Sequence, residues 1–170
     1  DELGHWLESY RTGSEAGAND HCDYHGLSRP VAYRAIAPTG SIGILASTTT
    51  GIEPLYAVAY RRRYLTEGTK WKYKYAIDAT AQHLIDTTGV DPDAIEDATT
   101  LAEDPERRVA FQAWVQQYVD MGISSTINVP AYRGDAEEEG RVERFAKCIA
   151  EHAPNLRGIT VYPDGSRGGQ

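Results

Sequence analysis

Cysteine, long apolar runs and basic charge are scarce in this sequence, and each shortage argues against a class of function. The chain of 170 residues has two cysteines, Cys22 and Cys148, which are too few for a disulfide framework. Its net charge of −8 argues against binding to a polyanion, so we predict no nucleic-acid and no membrane-surface partner. No long apolar stretch or signal-peptide pattern occurs, which predicts a soluble, cytoplasmic protein without a membrane span.

The order of the residues predicts one segment rather than several domains. No internal repeat and no linker divides residues 1–170, and the length allows one sizeable core or half of a larger one. Residues 1–28 are predicted to form a lead-in that is helical in part, with Gly13 and Gly17 as interruptions. The first residue is Asp1 instead of methionine, which indicates a processed or excised piece.

Strand-like and helix-like patterns alternate along the chain. Apolar, β-branched or aromatic runs predict extended elements at 31–37, 55–65, 125–129 and 158–162. Helical spacing of apolar residues predicts helices around 77–85, closed by Gly89, and around 142–149. This alternation is typical of an α/β fold with a largely parallel sheet.

The clearest predicted helix begins at Asp104-Pro105, where a cap residue precedes a proline at the first helical position. Gly122 is predicted to end it. The apolar stripe of this helix is predicted to comprise Phe111, Trp114, Val115, Tyr118 and Val119. The opposite, polar face is predicted to comprise Gln112, Gln116 and Gln117.

The most informative part of the sequence is a turn between a predicted strand and a predicted helix. The strand at 31–37 ends at a proline, a Thr-Gly-Ser turn follows, and the apolar residues 42–46 predict a helix start. A helix N-terminus presents backbone N–H groups without intrahelical partners and carries partial positive charge. An ordinary capped helix is the alternative, and neither a Walker motif nor G-x-G-x-x-G is present. The candidates to bind an anion, most simply a phosphate, are Pro38, Thr39, Gly40, Ser41 and Ile42.

Five short segments carry a family resemblance. In chain order they are 37–42 (APTGSI), 50–54 (TGIEP), 110–120 (AFQAWVQQYVD), 122–130 (GISSTINVP) and 157–166 (RGITVYPDGS). Together they resemble the C-terminal part of adenosylcobalamin-dependent (class II) ribonucleotide reductase, over residues 29–167. Each segment alone is weak evidence, whereas five in the right order are strong.

The resemblance implies the C-terminal portion of a ten-stranded α/β barrel, built from two half-barrels and incomplete in this chain. In the family the turn that corresponds to Pro38–Ile42 cradles the phosphates of the ribonucleotide substrate. Glu53 and Tyr162 are further candidates for active-site support. A structural salt bridge or loop anchor is an equal alternative for Glu53, and an ordinary strand residue for Tyr162.

The family's chemistry, by resemblance, converts ribonucleotides to 2′-deoxyribonucleotides. Adenosylcobalamin generates a cysteine thiyl radical, and a cysteine pair supplies the electrons. Cys22 lies in a segment that does not match the radical loop, and Cys148 is predicted to be a small core residue. We therefore predict no catalytic residue in this chain.

The same resemblance implies partners for the chain. They are an N-terminal portion or separate chain of the same reductase, the ribonucleotide substrate, and a thioredoxin-like or dithiol reductant. The isolated chain is expected to be inactive and to need its partner for solubility. The alternative function is a non-catalytic nucleotide-binding or barrel-completing subunit.

Three further clusters have simpler interpretations. His21, Cys22 and His25 lack the fourth ligand of a structural metal site, so we predict a surface turn and no metal. The acidic run 135–139 predicts a solvated first turn of a helix. Arginines at 61–63 and the alternating lysines and aromatic residues of 70–75 predict an exposed strand or hairpin arm, on which Arg61 and Arg63 share one side.

Overall fold

The computed structural model describes residues 2–66, 68, 70–131, 134 and 136–163. It contains both helices and strands, which alternate only from residue 105 onward, and the predicted largely parallel sheet is limited to one of two strand pairs among the described residues. Short 3₁₀ turns lie at Pro92–Ala94 and Ala153–Asn155. The helices are α1 (Glu2–His25), α2 (Gly40–Ala46), α3 (Ala79–Thr88), α4 (Ala98–Leu101), α5 (Pro105–Gln116) and α6 (Ala136–His152). The strands are β1 (Ala59–Thr66), β2 (Lys70–Ile77), β3 (Thr126–Val129) and β4 (Thr160–Pro163).

The strands form two separate pairs. β1 and β2 are antiparallel, with Ala59 opposite Ile77, and form the predicted hairpin. β3 and β4 are parallel, with Ile127 opposite Val161, and α6 connects them. A single parallel bridge joins Ile36 to Ile123. Among the described residues these strands do not close into a barrel.

The predicted buried strand at 31–37 is wrong. Only Ile36 takes part in strand pairing, and Val31 is fully exposed. The physical reason is Arg34, whose side chain is buried and binds groups from other elements. The backbone N–H of Tyr33 donates to the Asp120 carboxylate at 3.0 Å instead of to a neighbouring strand. The segment is therefore extended and held partly by side chains and partly by backbone hydrogen bonds of Arg34 and Ile36 with residues 121–124.

The predicted faces of α5 are also wrong in part. Gln112 and Gln116 are buried, because their amides bind loop backbone at the start of β4 and after α5. Gln112 Nε2 donates to the Gly158 oxygen at 2.8 Å, and Gln116 Nε2 donates to the Val119 oxygen at 2.6 Å. Of the predicted stripe, Val115 and Val119 are buried whereas Phe111, Trp114 and Tyr118 are half-buried. The helix ends at Gln116, well before Gly122.

Most other predicted elements are confirmed within a few residues. α3 has the Asp78 carboxylate as its cap and Gly89, with φ 68°, as its end. The extended element predicted at 55–65 becomes a strand only from Ala59. The lead-in is one helix that Gly13 and Gly17 do not interrupt.

The acidic run before α6 differs from its prediction. Asp135 lies outside the described residues. Glu138 is buried instead of solvated, because its carboxylate accepts from the Gly134 N–H at 2.6 Å and pairs with Arg141 at 3.1 Å. Cys148 is half-buried, 3.9 Å from the Glu106 backbone oxygen, whereas Cys22 is buried.

Arg34 joins three parts of the chain that are distant in sequence. Its guanidinium donates to the Tyr118 backbone oxygen at 2.9 Å and to the Glu15 carboxylate at 2.6 Å. It also pairs with Asp120 at 3.0 Å and reaches α1 at the Arg11 backbone oxygen. A guanidinium can satisfy this many acceptors because it presents five N–H groups in a fixed fork.

We expect Arg34→Met to lower the free energy of unfolding by about 3 kcal/mol, because it leaves the acceptors around a buried guanidinium unpaired. Denaturant unfolding followed by circular dichroism measures this loss. Arg11→Met is the matched control, since Arg11 makes only an exposed ion pair with Glu8 and its loss should change stability little. An equal loss of unfolding free energy in the two variants would contradict the conclusion that Arg34 holds these three parts of the chain together.

Candidate functional site

The predicted helix after the Thr-Gly-Ser turn is confirmed as α2. Thr39 precedes it in a left-handed conformation, with φ 47° and ψ 23°. The N–H of Gly43 donates to the Thr39 oxygen at 2.7 Å. Within the described part of the chain, no acceptor is bound to the N–H groups of Gly40, Ser41 and Ile42. Three adjacent amides at the start of α2 therefore remain available to an anion.

The turn has open space on its outer side and close packing on its inner side. A Cβ built on Gly40 would meet no atom within 4 Å, whereas a Cβ on Gly43 would lie 2.5 Å from the Thr50 methyl carbon. Ser41 and Ile42 are exposed. The short helix is thus packed through Gly43 against the following loop, and its free amides lie at an accessible end.

Thr39 connects the turn to that loop. Its hydroxyl oxygen accepts from the Gly51 N–H at 3.0 Å and does not cap α2. Gly51 has φ 54°, and a Cβ there would lie 3.2 Å from the Ala37 oxygen, so only glycine fits this approach without strain. The Thr39 hydroxyl, expected to serve a ligand, thus also holds the turn in place.

Glu53 anchors the far end of the same loop. One carboxylate oxygen accepts from the Thr126 N–H of β3 at 2.6 Å, and the other pairs with Arg108 of α5 at 2.8 Å. Arg108 also donates to the Ile52 oxygen at 3.1 Å and to the Ser125 hydroxyl at 2.9 Å. This arrangement favours the loop-anchor alternative for Glu53.

Burial dominates the electrostatics of this pair. Desolvation raises the pKa of the Glu53 carboxyl, although the Thr126 amide and the Arg108 guanidinium both act to lower it. Desolvation likewise lowers the pKa of Arg108, against the opposing effect of Glu53. The side chains are 25% and 8% exposed, so water compensates their charges little.

A cavity with a mixed polar and apolar lining lies beside the loop. It has a volume of about 420 Å³ and is bounded by the end of α2, the loop, the base of the hairpin and β3. Glu53 lines it, together with residues that sequence reasoning missed. These are Thr48, Thr49, Thr50, Tyr56, Tyr60, Asp78, Thr126 and Asn128. A second cavity of about 650 Å³, bordered by α1 and α5, lies on the other side of Glu53.

Strand alternation could have found part of this wall. Thr126 and Asn128 line the cavity while Ile127 between them is completely buried, as a period of two requires. Tyr162 is half-buried on β4, opposite Asn128 in the register, and is not among the residues that line the cavity. No pattern in the sequence predicted that Tyr56 and Tyr60, whose ring centroids lie 6.4 Å apart, would line the cavity.

Within the part of the chain that the structure describes, no group of three or more His, Cys, Asp or Glu side chains could hold a metal ion. His21 and His25 lie with ring centroids 4.4 Å apart at the end of α1, not in a surface turn. None of the described helices is long and apolar enough to cross a membrane.

Comparison with known proteins gives a consistent result. The family model of the ribonucleotide reductase barrel domain matches residues 16–162. A vitamin B12-dependent ribonucleoside-diphosphate reductase of Mycobacterium tuberculosis is 32% identical over 162 residues, which covers 85% of this chain and 22% of the relative. The enzyme of the same name from Thermoplasma acidophilum is 33% identical over 152 residues, covering 78% of this chain and 19% of the relative.

A solved structure shares the fold. The crystal structure of a B12-dependent (class II) ribonucleotide reductase superposes with a TM-score of 0.73 at 15% identity. The match covers 100% of this chain and 24% of that one. The chain therefore spans about a fifth of the curated relatives and a quarter of the structural one.

The raised pKa of Glu53 predicts a specific pH dependence of stability. The folded chain binds the Glu53 proton more tightly than the unfolded chain, so stability supplied below the ordinary pKa of 4.5 is lost as pH rises toward the folded pKa. The unfolding free energy of the parent chain minus that of Glu53→Gln should therefore fall as pH rises from about 4.5. Chemical denaturation at several pH values measures it.

Glu96→Gln is the control of opposite sign. The hydrogen bond from Arg107 lowers the pKa of Glu96, so its contribution should grow as pH rises from the folded pKa to the ordinary value of 4.5 and should stay constant above it. A contribution of Glu53 that rose with pH, as that of Glu96 does, would contradict burial as the dominant effect on the pKa of Glu53.

Proposed function

The chain belongs to the ribonucleotide reductase barrel-domain family, and we propose on this basis that it is the C-terminal part of a vitamin B12-dependent reductase barrel. The parallel pair β3–β4, with α6 as its crossover, is the kind of unit from which such a barrel is assembled. In the complete enzyme, ten strands from two half-barrels surround the substrate. Residues 1–170 form one segment of that barrel, with α1 as its lead-in.

We assign the turn Pro38–Ile42 to the phosphates of the ribonucleotide substrate. The observation that supports this is the set of three first-turn amides, at Gly40, Ser41 and Ile42, that have no acceptor among the described residues. Each hydrogen bond to a charged oxygen contributes about 1.5–3 kcal/mol, so three donors and the Ser41 hydroxyl suffice to hold a diphosphate. The relatives are named for diphosphate substrates, which fits this donor set.

We place the remainder of the nucleotide in the 420 Å³ cavity, which borders α2 at Ile44 and is lined by no residue of the turn Pro38–Ile42. Its walls carry hydroxyl, amide and carboxylate groups, of which Asn128 and Thr126 lie on one face of β3. Glu53 supports this wall by fixing the loop to Arg108 and β3. Tyr162 supports it from the neighbouring strand, opposite Asn128.

The described residues do not fit a role in cobalamin or thiol chemistry. Cys22 is buried on α1 and Cys148 is half-buried on α6, and neither lines the cavity. The complete reductase would need adenosylcobalamin for the radical chemistry at the ribose C–H bond, because no amino-acid acid or base can supply it. We assign that step, and the cysteines that complete it, to the remainder of the reductase.

The chain thus works with several partners. They are the remaining reductase polypeptide, a ribonucleotide and a thioredoxin-like or dithiol reductant, in the cytoplasm, and the product is a 2′-deoxyribonucleotide. One observation favours a second candidate function, since no cysteine lines the cavity. On that reading the chain is a nucleotide-binding or barrel-completing subunit without chemistry of its own.

Gly40→Asp tests the phosphate assignment. A side chain at position 40 enters open space, and a carboxylate at a helix N-terminus is compatible with folding. Its charge should repel the substrate phosphates and raise KM for the ribonucleoside diphosphate about tenfold or more in the assembled reductase. Gly40→Asn, of nearly equal size and without charge, should change KM far less. Equal effects of Asp and Asn would contradict phosphate binding at the turn.

A further inference from the structure

The carboxylate of Asp97 is buried, and its two oxygens bind different parts of the chain. The residue is 7% exposed. Oδ1 accepts from the N–H groups of Thr99 and Thr100, each at 3.0 Å, and from the Thr99 hydroxyl at 2.6 Å, and thereby caps α4. Oδ2 accepts from the backbone N–H of Val58 at 3.2 Å, which lies 39 residues away in sequence. One oxygen therefore caps the helix, and the other ties it to a distant segment.

The hydrogen bonds keep this carboxyl group ionised. Desolvation acts to raise the pKa of Asp97, but the hydrogen bonds from Thr99, Thr100 and Val58 together hold the pKa below its ordinary value of 3.8. An ionised carboxylate accepts at both oxygens. Asp97 can therefore cap α4 and bind the Val58 N–H at the same time.

Val58 lies at a bend that is held from both sides. The chain bends at Tyr56 and again at Val58, just before β1 begins at Ala59. The Val58 N–H donates to Asp97, and the Val58 oxygen accepts from the N–H of Asp78, the residue before α3, at 2.9 Å. Both backbone groups at the bend are thus bound to other elements.

The bend brings together two tyrosines that line the 420 Å³ cavity. Tyr56 and Tyr60 are four residues apart, which would separate their Cα atoms by about 13 Å in a fully extended chain. With the bend between them, their ring centroids lie 6.4 Å apart and the ring planes meet at 84°. Tyr56 and Tyr60 together are here called the tyrosine wall of the cavity.

The helix α4 connects the tyrosine wall to the part of the cavity formed by β3. The N–H of Ala98, the first residue of α4, donates to the Leu55 oxygen at 2.7 Å. The same helix packs against β3, whose residues Thr126 and Asn128 line the cavity. Through Asp97 and Ala98, α4 therefore fixes the separation between the tyrosine wall and β3.

The two parts of the cavity differ in chemistry in a way that suits a nucleoside. The tyrosine wall offers aromatic rings, on which nucleobases stack. The other part offers the Thr126 hydroxyl and the Asn128 amide, which can bind sugar hydroxyls or the edge of a base. The volume of about 420 Å³ lies within the range of about 300–1,000 Å³ found for small-molecule sites.

We propose that Asp97 is a positioning residue for the nucleoside part of the substrate. This inference rests on the proposed function, which places the nucleoside in the cavity and its phosphates at the turn Pro38–Ile42. Asp97 holds the bend at Val58, the bend holds the tyrosine wall, and α4 sets the distance of that wall from β3. Asp97 is not among the residues that line the cavity, so it acts through the tyrosine wall and does not touch the substrate.

Asp97→Asn tests the proposal because it removes one of the two functions of the carboxylate. Asparagine caps helices about as well as aspartate does, so its amide oxygen replaces Oδ1 and α4 is retained. Its NH₂ group then faces the Val58 N–H, and because both are donors the tie is lost. Asp91→Asn is the matched control, since Asp91 caps the short turn Pro92–Ala94, where its carboxylate accepts from Asp93.

Two constants measured on the assembled reductase separate the nucleoside from the phosphates. They are KM for cytidine diphosphate and the inhibition constant of inorganic pyrophosphate, a competitor that probes the turn alone. Asp97→Asn should raise KM about tenfold and leave the inhibition constant of pyrophosphate unchanged, because only the cavity is altered. Gly40→Asp should raise both constants, and Asp91→Asn should change neither. Circular dichroism checks that each variant keeps its helices.

A double-mutant cycle tests whether Asp97 acts through the tyrosine wall. Tyr56→Ala with Tyr60→Ala removes both rings and should itself raise KM for cytidine diphosphate. Adding Asp97→Asn to that chain should raise KM by about twofold or less, because coupled sites have effects that are not additive.

The outcomes that overturn the inference differ from those that overturn the proposed function. An unchanged KM for Asp97→Asn, with Gly40→Asp still effective, would overturn the role of Asp97 and leave the phosphate assignment in place. Unchanged constants for Gly40→Asp would overturn both. Equal increases of KM and of the pyrophosphate constant in Asp97→Asn, an equal effect of Asp91→Asn, or additive effects in the cycle would reduce the role of Asp97 to general stability.

Discussion

The buried ion pair between Glu53 and Arg108 is the constraint on which the candidate site depends. Through it, the loop that follows α2 is fixed to α5 and to the first amide of β3. The loop in turn holds the turn, because Gly51 donates to Thr39 and Thr50 packs against Gly43. Desolvation makes the pair costly, so its retention is better explained by the position it specifies than by stability it contributes.

Buried polar groups organise the rest of the described structure in a similar way. Arg34 connects α1, the extended segment before the turn and the loop after α5, while Gln112 and Gln116 bind the loop backbone around them. The apolar cluster of Val115, Val119 and Ile123 is small. A segment that shares its core with the remainder of a barrel has less apolar contact of its own, so polar side chains fix more of its loops.

The elements that depend on local signals could be predicted from the sequence. The end of α3 at Gly89 and the turn before α2 follow from the chemistry of single residues and were predicted, whereas the Asp78 cap was not. The faces of α5 and the strand at 31–37 depend on what lies across from them, and no pattern revealed that Arg34 and Gln112 would be buried. The helix N-terminus predicted an anion site and the family resemblance assigned it to substrate phosphates. The Arg108 partner of Glu53 is 55 residues away and required the structure.

The central claim is that the first-turn amides of α2 bind the substrate phosphates. Amide nitrogen–proton NMR on the assembled reductase, with only this chain isotope-labelled, tests it most directly. Addition of a ribonucleoside diphosphate should shift the amide signals of Gly40, Ser41 and Ile42 strongly, and inorganic sulfate should shift them weakly. Shifts elsewhere in the chain, with these three signals unchanged, would contradict the account.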